Sequence, residues 1–180
     1  VSNEPLLRFR RAVVADAPDI HHLVESAYRG EKSRAGWTTE ADFLDGQRTD
    51  EDQIRALIED QSSAILLAEA DGELLGCCYL VEHEEEVHFG MFAVRPLRQG
   101  AGIGRQLMAE AERLVRSDSP GKSMHLTVLN VRPELIAWYE RRGYHLTGET
   151  EVFPYGDERF GIPKRADLVL LVMRKTLEGL

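Results

Sequence analysis

A chain of 180 residues accommodates one domain, spanning 1–180, with at most a small insertion, and is too short for two full domains. Hydrophobic residues at 43% and charged residues at 29% exclude wholesale disorder, because that apolar content offsets the entropy of ordering the chain. With 22 basic against 31 acidic residues, the net charge of −9 excludes the global field of a nonspecific nucleic-acid binder and favours neutral or cationic partners.

In chain order, residues 7–14 read as a strand. Asp16 is placed to cap a helix over 18–28, with Pro18 in its first turn and Ile20, Leu23, Val24 and Ala27 on one face. A polar stretch over 29–50 follows, in which Trp37 and Phe43 are the notable aromatic pair. A helix over about 49–61 carries Ile54, Leu57 and Ile58 as its apolar stripe. Residues 64–70 and 74–81 flank Asp71-Gly72, the dipeptide that a tight hairpin prefers. A strand over 87–94, a helix over 102–116, a strand over 124–129, a helix over 133–142 ended by Gly143, and a last strand over 168–173 complete the pattern. One further strand is expected between the last helix and the last strand. The order β-α-α-β-β-β-α-β-α-(β)-β predicts a mixed α/β (α+β) fold rather than a regularly alternating doubly wound one.

The two cysteines, Cys77 and Cys78, are adjacent, so an extended chain sends them to opposite faces and no ordinary disulfide joins them. They read as core. Residues 1–11 contain no apolar stretch of signal-peptide character, and the apolar run 168–173 is far short of a membrane span. The expectation is a cytoplasmic, reduced protein without membrane attachment or nucleic-acid partner; its oligomeric state is not legible.

The stretch Val94-Arg95-Pro96-Leu97-Arg98-Gln99-Gly100-Ala101-Gly102-Ile103-Gly104-Arg105 carries the clearest chemistry. It leaves a strand and enters a helix, whose first N–H groups have no internal partner and whose dipole favours an anion. Alternate glycines let the backbone approach a ligand closely, and Arg98 and Arg105 add positive charge. Phosphate or pyrophosphate on backbone amides fits this arrangement. Neither a P-loop nor the G-x-G-x-x-G dinucleotide fingerprint is present. A turn that only packs the helix tightly is the plain alternative.

The segment Gln99-Gly100-Ala101-Gly102-Ile103-Gly104 resembles the Q/R-x-x-G-x-G/A signature of the GCN5-related N-acetyltransferases (GNAT), which bind acetyl-coenzyme A. Val94-x-Pro96 ahead of it, and Ala137-Trp138-Tyr139-Glu140-Arg141-Arg142-Gly143-Tyr144 downstream, are similar to segments of the same superfamily. In element order the resemblance covers about 7–175. It implies a central, mostly antiparallel sheet of about seven strands with a splayed strand pair and about four helices. It implies acetyl-CoA as co-substrate, with pyrophosphate on Gln99, Gly100, Ala101, Gly102, Ile103 and Gly104, Arg105 nearby, and pantetheine on the backbone of Phe92 and Val94. Core packing of those two side chains is compatible with that role. Asn130 matches an asparagine that often touches pantetheine, although its spacing to Tyr139 exceeds the commonest pattern. Tyr139 matches the tyrosine beside the cofactor sulfur, where a phenol, protonated at neutral pH, acts as general acid; a purely packing aromatic is the alternative.

Family members often place a general base on the strand before the glycine turn. Glu86 and His88, two apart, share a strand face and are the candidates; equally, 82–86 is an acidic run that suits a solvated edge. His83 and His88 are expected on opposite strand faces, with no third ligand, so no metal site is expected. His21 and His22 read as a surface pair. The implied function is an N-acetyltransferase acting on a small-molecule or peptide amine by direct attack in a ternary complex. A noncatalytic acyl-CoA sensor or interaction module, a different acyl donor, and a protein lysine acceptor are the rivals. Acceptor choice is expected from 28–48 and 153–166, where Arg29, Arg34 and Arg48 mix with Glu40, Asp42 and Asp45, and Asp157 and Glu158 with Arg159, Lys164 and Arg165. Such mixtures suit an amine that also bears an anionic group, or are ordinary solvated loops.

Overall fold

The computed structural model describes residues 5–36 and 39–177, so Trp37 lies outside the described residues. The elements are β1 (Arg8–Arg11), α1 (Ala17–Tyr28), α2 (Gly30–Ser33), β2 (Leu44–Asp45), α3 (Glu51–Glu59), β3 (Ser63–Ala70), β4 (Glu73–Glu82), β5 (Glu86–Val94), α4 (Ile103–Asp118), β6 (Ser123–Leu129), α5 (Pro133–Glu140), β7 (His145–Val152), β8 (Ile162–Pro163) and β9 (Val169–Thr176). The seven-stranded sheet has the order β1-β3-β4-β5-β6-β9-β7, and β2 pairs with β8 in a separate ribbon. Every neighbouring pair of the large sheet is antiparallel except β5 and β6.

Strand alternation divides the core into two layers. Ile65, Leu67 and Cys77 face α1 and α3, whose apolar stripe of Ile20, Leu23, Val24, Ala27 and Ile54 is buried there. Leu66, Ala68 and Cys78 face the opposite layer, with Ile103, Leu107 and Ala111 of α4. The adjacent cysteines therefore do point to opposite faces, and both are free and buried. Burial pushes the Cys77 thiol up to about 12 and Cys78 well above its ordinary value, which keeps both inert as nucleophiles.

Local chemistry departs from expectation at the start of α1. Asp16 occupies the residue before the helix but makes no side-chain cap to it. Its carboxylate instead accepts from the Val13 N–H at 2.8 Å and pairs with Arg10 at 2.8 Å, because a 3-10 turn over Val14–Asp16 aims it backwards. Asp50 does cap α3, accepting from the Gln53 N–H at 2.8 Å. The loop expected over 29–50 is not a free polar loop: β2 ties it to β8, and Lys164 reaches back to the Ala41 carbonyl at 2.7 Å.

The feature that shapes the site is the way β5 leaves β6. The two pair only at Glu86↔Ser123, Val87↔Met124 and His88↔His125, after which β6 continues with β9 alone as far as Leu129↔Leu170. On its other side β5 carries a bulge. Cys77 pairs with Ala93 and Tyr79 with Gly90, so Met91 and Phe92 share the place opposite Cys78, with Met91 at φ +46°. An extra residue bends a strand and strengthens its twist, and beyond the bulge β5 and β6 stand apart.

Candidate active site

Past β5 the chain makes a 3-10 turn over Pro96–Arg98, then passes through Gly100 at φ +88° and Gly102 at φ +78°, the residue that opens α4. Both lie in the left-handed region that strains residues with a Cβ. The first helical bond runs from the Gln106 N–H to the Gly102 carbonyl at 3.0 Å. The amides of Ile103 and Gly104 precede it, and those of Gly100, Ala101 and Gly102 donate to no described backbone carbonyl. Gly104 has a different reason to be glycine: a Cβ there would lie 3.1 Å from Phe92 Cζ and 3.8 Å from Trp138 Cζ2, so its absence lets α4 close on β5 and α5.

These amides form one wall of a cleft of about 630 Å³, completed by Val94, Arg105, Trp138 and Arg142. The Arg142 guanidinium lies 3.4 Å over the Trp138 ring and donates to the Trp138 carbonyl at 2.7 Å. Burial, with Arg141 and Arg105 close by, holds its pKa below the usual arginine range. Burial is the larger cause and the neighbouring arginines the smaller; the one carboxylate among the described lining residues, Glu134, is paired with Arg132 at 2.7 Å. Ala101 and Ile103 pack inward and offer backbone only. The donor set fits a phosphate-bearing ligand.

Phe92 also lines a smaller inner cavity of about 100 Å³, together with Tyr28, Tyr139, His88, Arg48 and Arg132. That cavity shares Glu40, Arg48, Tyr79 and His88 with a third of about 330 Å³, walled by Phe153 and Phe160. Cleft, inner cavity and outer cavity thus follow one another through the opening between β5 and β6. Tyr139 is 6% exposed and stands edge-on to Trp138 at 5.3 Å. Among the described residues its hydroxyl has no hydrogen-bond partner. Burial, then the neighbouring Tyr28, push its pKa well above the ordinary value, so the phenol keeps its proton.

The structure separates the two candidate bases. His88 lines the inner and outer cavities. Its ring stacks on His125 at 4.6 Å and meets Tyr79 edge-on at 5.3 Å. Burial, with His125 and His83 nearby, lowers its pKa to about 4, leaving a neutral imidazole. Glu86 lies where the strands are still paired and lines neither cavity; Arg174 holds its Oε2 at 2.9 Å and His125 Nδ1 lies 3.3 Å from its Oε1. The expectation for His83 is corrected: the chain turns at Glu84 and Glu85, and His83 and His88 flank the same residue, His125, at 6.1 and 4.6 Å. No group of three or more His, Cys, Asp or Glu among the described residues could hold a metal ion. No described helix is long and apolar enough to cross a membrane.

The profile of the acetyltransferase (GNAT) domain matches residues 25–154. This chain belongs to the GNAT acetyltransferase family. The shape agrees across nearly its whole length. The ribosomal-protein-S18-alanine N-acetyltransferase from Escherichia coli is 14% identical, covers 97% of this GNAT chain and 96% of its own, and superposes with a TM-score of 0.71. An acyl-CoA N-acyltransferase from Pseudomonas aeruginosa is 19% identical, with 95% and 100% covered and a TM-score of 0.65. The spermidine/spermine N-acetyltransferase from Vibrio cholerae is 17% identical, with 95% and 92% covered and a TM-score of 0.66. No curated protein matches the sequence. The mixed α/β fold with its mostly antiparallel sheet is that of the family, and the family's chemistry is acetyl transfer.

Two residues of the site, Tyr79 and Arg132, escape sequence reading because they carry no motif; at the inner cavity they meet Tyr28, Glu40 and Arg48, which fall within the 28–48 stretch expected to set acceptor choice. Arg141 and Arg142 stood inside the quoted downstream segment, and their charge was the available signal. Asn130 lies outside the cleft: its amide donates to the Asp167 carbonyl at 3.0 Å and accepts from the Val169 N–H at 3.0 Å, tying the end of β6 to the start of β9.

Proposed function

We propose that this protein transfers the acetyl group of acetyl-CoA to the nitrogen of a primary amine, with both substrates bound together. One observation carries the reading: Phe92 lines both the amide-walled cleft and the inner cavity that contains Tyr139. A phosphate-bearing thioester entering from one side and an amine from the other would meet there.

The amides of Gly100 to Gly104, with Arg105 and Arg142, hold the phosphates. The Arg95 N–H pairs with the Leu75 carbonyl on β4, so strand alternation turns the Val94 peptide toward the opening. Its carbonyl already accepts from Gln99 Nε2 at 3.0 Å, and the Phe92 carbonyl accepts from the Tyr28 hydroxyl. The pantetheine arm would run beside these groups, so that thioester and amine are held together rather than meeting by diffusion. Attack forms the carbon–nitrogen bond and breaks the carbon–sulfur bond. Of the two protons that the ammonium gives up, one ends on sulfur, supplied through the Tyr139 hydroxyl, and the other leaves for solvent. His88, neutral above about pH 4, has a nitrogen lone pair at the cavity to pass it on.

Release of free thiol from acetyl-CoA across amino acids, polyamines, aminoglycosides and peptides, with calorimetry of acetyl-CoA binding, tests the reading. Amine-dependent thiol release is expected. Tight binding with no turnover on any amine would convert the protein into an acyl-CoA sensor, and absence of binding would remove the reading altogether.

A further inference from the structure

We propose that Arg48 recognises a carboxylate on the acceptor, making small amino carboxylates, and not polyamines, the substrate class. The inference rests on the reading that the opening between β5 and β6 receives the acceptor.

Arg48 is rigidly presented. Its own N–H and that of Thr49 both donate to the Glu25 carboxylate on α1, at 2.7 and 3.0 Å, which pins the backbone against a helix of the core. From there the side chain lines both the inner and the outer cavity, its guanidinium carbon 5.4 Å from the centre of the Tyr28 ring.

Its partners set it apart from the arginines around it. Arg29 pairs with Glu40 at 2.6 Å, and Arg132 with Glu134 at 2.7 Å. Among the described residues the Arg48 guanidinium has no hydrogen bond and no ion pair. Two carboxylates face the cavities it lines. Glu40 is held by Arg29, and Glu151 sits on an exposed strand at the rim. Burial opposes the charge of Arg48, but Glu40, Tyr28 and Tyr79 nearby raise its pKa, so it stays a cation.

A half-buried guanidinium with five donors and no acceptor is an incomplete site. A carboxylate completes it with two parallel hydrogen bonds, a geometry that an ammonium cannot supply and that like charge forbids. The outer cavity, about 330 Å³ and lined by Phe153 and Phe160, suits a molecule of amino-acid size. Tyr139 lies in the same inner cavity as Arg48, so a carboxylate seated on Arg48 leaves an amine a few bonds away on the side where the thioester arrives.

The test compares matched acceptors: free amino acids, the same amino acids as carboxamides, and spermidine. The protein is assayed for thiol release and, as its coenzyme A complex, for acceptor binding by calorimetry. The wild type is expected to prefer carboxylate over carboxamide by roughly 10²-fold in kcat/KM, the scale of charge-assisted hydrogen bonds. In Arg48→Met that ratio should fall to within a few-fold of one; Arg48→Lys, which keeps charge but loses the fork, should fall between. Should Arg48→Met not fold by circular dichroism, the wild-type ratio and Arg48→Lys decide alone. Equal or better use of carboxamides or spermidine by the wild type overturns the proposal, as does a preference that survives Arg48→Met. Failure on every carboxylate while acetyl-CoA still binds also overturns it and leaves the coenzyme site standing. Failure of acetyl-CoA to bind refutes the parent reading instead.

Discussion

The Tyr28 hydroxyl, at the end of α1, donates to the carbonyl of Phe92 across 64 positions of sequence. Phe92 is one of the two residues that share the β5 bulge, and a bulged carbonyl turned away from the β-ladder needs another donor when buried. The bond therefore joins the helical layer to the strand that divides cleft from inner cavity. Tyr28→Phe keeps the ring and orphans that carbonyl. Denaturant unfolding should report a loss of about 1–3 kcal/mol, accompanied by weaker acetyl-CoA binding. Unchanged stability would mean that the bulge holds without the tyrosine.

Tyr139→Phe separates chemistry from packing. The edge-on contacts with Trp138 and Tyr144 survive, and the lost hydroxyl has no described partner to orphan. A donor to the leaving sulfur acts where charge develops, so the loss belongs to the transition state. The expected result is a kcat lower by about 10²-fold, an acetyl-CoA Kd changed by less than roughly threefold, and an unchanged Tm. Full turnover in the folded variant would strike Tyr139 from the reaction and spare the coenzyme site.

Gly102→Asp and Gly104→Asp should both abolish acetyl-CoA binding measured by calorimetry, for different reasons. At Gly102 a carboxylate replaces amide access at a position with φ +78°. At Gly104 the new side chain starts 3.1 Å from Phe92 Cζ and forces α4 away from β5. Circular dichroism should stay native for Gly102→Asp, while Gly104→Asp should also lower the Tm. Retained affinity in either folded variant would contradict phosphate binding at this turn.

His88 makes a pH prediction with a definite sign. Its folded pKa of about 4 lies below the ordinary 6.5, so the unfolded chain binds more protons between those values. Stability should therefore rise with pH from about 4 to 6.5 and level off above, and acidification through that window should destabilise the fold. His88→Gln should flatten this part of the curve in thermal unfolding. If His88 also relays the substrate proton, the acid limb of kcat/KM shifts in the same variant, and Glu86→Gln leaves it in place. A wild-type rate profile in His88→Gln would remove the relay and not the stability effect.

The legible parts of this protein are those built from neighbours along the chain. Ile20, Leu23, Val24 and Ala27 announce α1 because one helix face must be apolar, and Asp71-Gly72 announces the β3–β4 turn because both residues sit at positive φ, 52° and 77°. The strand expected between the last helix and the last strand has no legible bounds, because β7 is a sheet edge with every residue but Thr147 exposed, so no apolar alternation is required of it. Asp16 misleads because a residue suited to capping was claimed first by Arg10 and the Val13 amide. His83 misleads because the turn at Glu84 and Glu85 breaks the strand periodicity on which its predicted face depended.

The same division runs through the site. The glycine turn is legible in sequence, since its unpaired amides stand at the head of a helix, and Gly100, Gly102 and Gly104 with the motif around Tyr139 are contiguous signals. Tertiary structure alone creates the opening between β5 and β6, because that opening arises from the loss of their pairing after His88 and from a bulge whose extra residue has meaning only against β4. Only it could collect Tyr28, Glu40, Arg48, Tyr79 and Arg132 at one cavity, and leave Arg48 without the carboxylate that each neighbouring arginine possesses. Charges scattered over 29–50 look alike in sequence; pairing in three dimensions distinguishes Arg48 from Arg29, held by Glu40, and from Arg34, held by Asp42.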